Sequence, residues 1–140
     1  MKILIIDAQG GGMGRQLVMS VKKEFPQAKV GAVGTNCLAA SNMLKAGADY
    51  AATGENAVVV GCRESDIIIG PVGIAIADSM HGEITPAMAT AVGQSRAKKL
   101  LVPMNQCNNL IVGVKNTSVS YMIEAVIEQL AEYVTKECRS

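Results

Sequence analysis

Apolar runs of β-type residues alternate with segments of helical spacing from one end of this chain to the other, and few folds accommodate that alternation. The run Lys2–Ile6 closes on Asp7 and reads as a buried parallel strand. Met13, Leu17, Val21 and Phe25 then recur every fourth residue, marking one face of a helix that Pro26 stops. Lys29–Gly34 is a second strand. Asn36 is placed to cap a helix over Cys37–Ala46, with Gly47 as the positive-φ residue that ends it. Asp49–Ala52 reads as a third strand, Glu55–Cys62 as a short helix, and Asp66–Ile69 as a fourth strand stopped by Gly70-Pro71. Val72–His81 suits either a loop or a short helix. Thr85-Pro86 signals a helix start, Thr as the cap and Pro at the first helical position, and that helix extends to Ala97. Lys99–Val102 and Leu110–Val114 read as fifth and sixth strands. Ser118–Thr135 is an amphipathic helix with Met122, Ile123, Val126, Ile127, Leu130 and Val134 on one face and Glu124, Glu128, Glu132 and Lys136 on the other.

This order predicts an α/β, three-layer, Rossmann-like architecture: a mostly parallel sheet of five to six strands with helices on both faces. At 140 residues it is expected to form a single domain, 1–140. Ligands of such sheets bind beyond the carboxyl ends of the strands, where strand order reverses, here between the first and fourth strands. Aromatic residues are only 3% of the chain, so the core is aliphatic and platforms for stacked bases or sugars are scarce. Lys plus Arg is 13 against 12 for Asp plus Glu, a balance that argues against nucleic acid and against a polybasic membrane-surface protein. No run approaches the ~20 apolar residues of a membrane span, and the opening apolar run is too short for a signal peptide, so a cytoplasmic location is expected. Cys37, Cys62, Cys107 and Cys138 lack metal-site spacing and are expected to be reduced thiols, Cys37 and Cys107 buried; no metal is expected.

The most informative segment follows the first strand. Asp7, Gln9, Gly10, Gly11, Gly12, Met13, Gly14 and Arg15 stand where a strand hands over to a helix. Glycine there permits positive φ and close approach of a ligand to the backbone. Amides at a helix start, with the positive end of its dipole, favour an anion such as phosphate. On this reading Gly11→Val abolishes binding and spares the fold. Thr35 and Asn36, at the end of the second strand, stand where an NAD binder usually has an acid for the ribose diol, which favours NADP over NAD. Gly70, Pro71 and Gly73 end the fourth strand at the same edge, and Asn105 heads an amide-rich turn after the fifth. His81 is the single histidine and, with Asp7 and Glu83, a candidate acid/base group; Glu83 could instead bind backbone amides.

Met13-Gly14-Arg15-Gln16-Leu17 locally resembles the cofactor turn of dihydrodipicolinate reductase and related NAD(P)-binding domains, although Ala8 replaces the first motif glycine. The resemblance implies NADP or NAD as cofactor. Over nearly its full length the chain resembles a family of short bacterial Rossmann-like proteins of unknown function, through Ile6–Gly12, Gly34–Ala39, Ala52–Asn56 and Gly82–Pro86. That resemblance implies a fold and no activity.

The expected function is binding of a dinucleotide such as NAD(P), or of another small phosphate-bearing ligand, at the glycine-rich turn. The alternatives are a small isomerase or lyase acting on a phosphorylated metabolite, or a non-catalytic regulatory or protein-interaction module. A homo-oligomer, a dimer first, is expected from the 18% charged residues and the small-residue helix after Pro86.

Overall fold

The computed structural model describes residues 1–104, 109–115 and 117–140. Five strands form one parallel sheet: β1 (Lys2–Asp7), β2 (Lys29–Gly34), β3 (Tyr50–Thr53), β4 (Ile67–Pro71) and β5 (Lys98–Val102), in the order β3-β2-β1-β4-β5. The five helices are α1 (Gly12–Glu24), α2 (Cys37–Lys45), α3 (Glu55–Glu64), α4 (Pro86–Gln94) and α5 (Val119–Glu137). A 3-10 turn, Val72–Ala75, follows β4.

The period-two alternation of side chains along a strand divides the core. Ile3, Ile5, Ile67 and Ile69 point to the face covered by α1 and α5, where they meet Leu17, Val21, Ile123 and Leu130; Met43 of α2 joins them. Leu4, Ile6 and Ile68 point to the other face, against Val58 of α3 and Met88 and Val92 of α4. β1 is therefore buried on both faces, which is why it reads as an unbroken apolar run.

The local signals place the helices. Asn36 Oδ1 accepts from the Ala39 amide and Thr85 Oγ1 from the Met88 amide, so both expected caps are made. Gly47 takes φ +114°. α4 stops at Gln94, short of the expected Ala97, because Ser95 turns to an extended backbone and its hydroxyl donates to the Cys62 carbonyl. The expected sixth strand is absent: Leu110–Val114 forms no ladder, and Leu110 and Val112 are 76% and 90% exposed. This apolar run pairs with neither outer edge of the sheet, so nothing converts it into a strand. Cys37, expected to be buried, is exposed in the first turn of α2; Cys62 is buried against α4. Cys107 lies outside the described residues.

Candidate functional site

Strand order reverses at β1, which lies between β2 and β4, so the crevice falls between β1 and β4 as the sequence predicts. There β1 ends on Asp7 and the chain turns through Ala8–Gly11 into α1. Gln9 and Gly11 take left-handed backbone, φ +53° and +72°.

The glycines of this turn do different things. A Cβ on Gly11 would sit 2.7 Å from Ala39 Cα, and one on Gly14 would meet Met43 Sδ at 2.5 Å and Asp7 Cβ at 2.8 Å. These two let α1 close on α2 and on β1. Gly11→Val therefore damages the fold, contrary to the expectation that it would spare it. Gly10 and Gly12 lack positive φ, and a Cβ on either meets nothing within 4 Å. The protein's own packing does not require glycine at these positions. Both are exposed, and the amides of Gly10, Gly12 and Met13 have no acceptor among the described residues.

Other amides of the turn are taken. Asp7 is 5% exposed; its Oδ1 accepts from Ala8 N at 2.8 Å and its Oδ2 from Gly14 N at 2.7 Å. Burial pushes the Asp7 carboxyl above its ordinary value, against the pull of those two amides. Gly11 N donates to Ala8 O. Gln9 N donates to Glu83 Oε1 at 3.1 Å, and the same oxygen accepts from Thr35 Oγ1 at 2.8 Å and Asn36 Nδ2 at 2.7 Å. Burial alone would raise the Glu83 carboxyl, but these hydrogen bonds outweigh it and the carboxyl lies below its ordinary value. From beneath, Asn36 Nδ2 donates to Gln9 O and Asn42 Nδ2 to Gly10 O, fixing the turn to α2.

The open amides face a recess of about 130 Å³ lined by Asp7, Gly10, Gly12, Met13, Pro71 and Met80. Ligand pockets for drug-sized molecules span roughly 300–1,000 Å³, so this recess by itself suits a group of phosphate size. Larger hollows, of about 480 Å³ beside α3 and α4 and about 630 Å³ beside β5 and α5, lie away from the switch point.

The remaining candidates separate. Pro71 lines the recess, but a Cβ on Gly70 would strike Ile6 O at 2.5 Å and one on Gly73 would meet Met80 Cε at 2.9 Å. Both glycines serve packing. The side chains of Thr35 and Asn36 reach the turn through Glu83 and Gln9, and the Thr35 amide donates to Asp7 O at 3.1 Å. Arg15 is exposed and makes no ion pair among the described residues. His81 is exposed with φ +57°; its charge acts on Glu83, but no hydrogen bond joins them. Asp7, Glu83 and His81 thus form no nucleophile–base relay: both Asp7 oxygens accept from backbone, and Glu83 serves as an anchor. Asn105 lies outside the described residues. Met80 lines the recess unforeseen, since an apolar residue in an ambiguous loop carries no signal of its position.

A family model described as a domain of unknown function, DUF3842, matches residues 2–135. The chain belongs to this family. No curated protein matches it. Among solved structures, a dodecameric FMN-dependent UbiX-like decarboxylase from Escherichia coli O157:H7 is similar, at 16% identity and a TM-score of 0.47 over 94% of this chain and 76% of that one. The fold of this family member, a five-stranded parallel sheet with helices on both faces, is Rossmann-like. The expectation of NADP or NAD is corrected from the geometry of this chain's own turn. The buried Asp7 carboxyl takes the Gly14 amide that a dinucleotide's pyrophosphate would need. The resemblance of Met13–Leu17 to dihydrodipicolinate reductase is not shown by the family and structure matches above.

Proposed function

We propose that this DUF3842 protein binds a small ligand through a single phosphate group at the end of β1. The observation that carries the reading is the set of amides on Gly10, Gly12 and Met13 without an acceptor among the described residues, beside glycines that the packing described does not require. Backbone amides at the positive end of α1 suit a phosphate, and a recess of about 130 Å³ suits its size. Asp7 limits the site: its buried carboxylate, facing the same turn, disfavours a second phosphate beside the first. The test is thermal denaturation with inorganic phosphate, sugar phosphates and unphosphorylated sugars. A phosphate-bearing ligand at a hundred times its Kd stabilises by about 2.7 kcal/mol. Gly12→Val, whose Cβ has open space, keeps the unliganded stability and loses that response. Equal stabilisation by unphosphorylated sugars, or an undiminished response in Gly12→Val, contradicts the reading.

A homo-oligomer belongs to the same proposal. The outer edge of β5 is unpaired among the described residues, and Leu110, Val112, Val114 and Tyr121 are large exposed apolar residues.

A further inference from the structure

The Glu83 carboxylate is held in an unusual way. Three donors from two separate turns converge on one of its oxygens: the Gln9 amide from the β1–α1 turn, and the Thr35 hydroxyl and Asn36 carboxamide from the β2–α2 turn, at 3.1, 2.8 and 2.7 Å. Its other oxygen accepts no hydrogen bond among the described residues. Glu83 itself comes from neither turn. It belongs to the segment between β4 and α4, and that segment is coiled against its own preferences: Asp78, Met80 and His81 have φ +64°, +56° and +57° without being glycine. Left-handed backbone in three residues of four persists only where surrounding contacts impose it. The Asp78 amide to Ile84 O, the Ser79 hydroxyl to Gly73 O and the triple anchor of Glu83 are such contacts. An amide, a hydroxyl and a carboxamide converging on one anionic oxygen form a complete acceptor site, at present filled from within. It adjoins the open amides, because Gln9 immediately precedes Gly10.

Resting on the phosphate reading above, we propose that the Gln9 amide, Thr35 hydroxyl and Asn36 carboxamide are a second subsite for the same ligand, and that Glu83 is an internal stand-in which the ligand's anionic oxygen displaces. Binding exchanges one charged acceptor for another on these donors. It also removes a like charge from beside the phosphate and releases the 76–85 segment from its anchor. The class of ligand is a phosphate monoester with a further oxygen acceptor within a few ångströms of the phosphorus, or the phosphate's own second oxygen. The occupied subsite therefore makes the free protein a weaker anion binder than its amides alone would allow.

The experiment uses inorganic phosphate as probe, followed by amide ¹⁵N shifts in the full chain, with wild type, Glu83→Ala, Glu83→Gln and the double variant Glu83→Ala/Thr35→Val. Glu83→Gln keeps the shape and the neutral acceptor, so it reports on charge should Glu83→Ala fail to fold. The expected result is phosphate binding about tenfold tighter in Glu83→Ala and several-fold tighter in Glu83→Gln. Shifts should appear at Gln9, Thr35 and Asn36 as well as at Gly10, Gly12 and Met13, and the gain should be lost in the double variant. In wild type, saturation with phosphate should also speed proteolytic cleavage within 76–85. Phosphate binding in wild type that neither Glu83 variant strengthens overturns the subsite and leaves the phosphate reading standing. Absence of phosphate binding at Gly10, Gly12 and Met13 in every form overturns both.

Discussion

The carboxyl groups of Asp7 and Glu83, which meet the same turn from different segments, are shifted in opposite directions, and the cause is what each touches. Asp7 is raised from 3.8 because burial disfavours its charge more than the Gly14 and Ala8 amides favour it. Its native form therefore holds its proton to higher pH than the unfolded chain does. Stability from this group is complete below pH 3.8 and declines as pH rises through the native value. Glu83 is lowered from 4.5, so its contribution is present above that pH and is lost as pH falls through the native value. A ¹³C carboxyl titration is expected to place the Asp7 midpoint above 3.8 and the Glu83 midpoint below 4.5; midpoints in the reverse sense contradict the assigned environments. Asp7→Asn removes a buried charge yet turns an NH2 group toward one of two amide donors. It is expected to destabilise by about 1–3 kcal/mol in urea denaturation, the cost of a buried donor left unpaired. Gly11→Ala, at φ +72° against the Ala39 backbone, is expected to cost about 2–4 kcal/mol, whereas Gly12→Ala stays near wild type. The sequence alone shows four glycines in five residues and gives no means of sorting them. Which are needed by the fold and which leave amides open depends on how closely α2 approaches the turn.

At the scale of elements, legibility followed locality. The caps at Asn36 and Thr85, the stop at Pro26 and the positive φ at Gly47 depend on residues a few positions apart, and each is found where the sequence places it. The sixth strand failed because a strand exists only by pairing, and Leu110–Val114 pairs with neither edge of the sheet. The Glu83 anchor joins residues 47 to 74 positions apart, beyond any local pattern. Asn36 serves both kinds of contact: it caps α2 and donates to Gln9 O and Glu83. Asn36→Ala is accordingly expected to cost more than the ~1 kcal/mol typical of a cap, and more than Thr85→Ala, whose residue only caps α4. Chemical denaturation of the two variants side by side checks this; equal losses would show that the second set of contacts contributes nothing.

For the whole molecule, the parallel sheet puts the ends of β1, β2 and β4 at one edge, so turns distant in sequence share one site. No helix among the described residues is long and apolar enough to cross a membrane. Light scattering at micromolar concentration is expected to give at least twice the 14.6 kDa chain mass; a monomer would leave the exposed Leu110, Val112 and Tyr121 for another role. The account as a whole stands on the open amides past β1, and titration of the ¹⁵N-labelled protein with inorganic phosphate examines them directly. Saturable shifts that are largest at Gly10, Gly12 and Met13 are the predicted result. Saturable shifts confined to exposed lysines and arginines elsewhere, with those three amides unmoved, would contradict it.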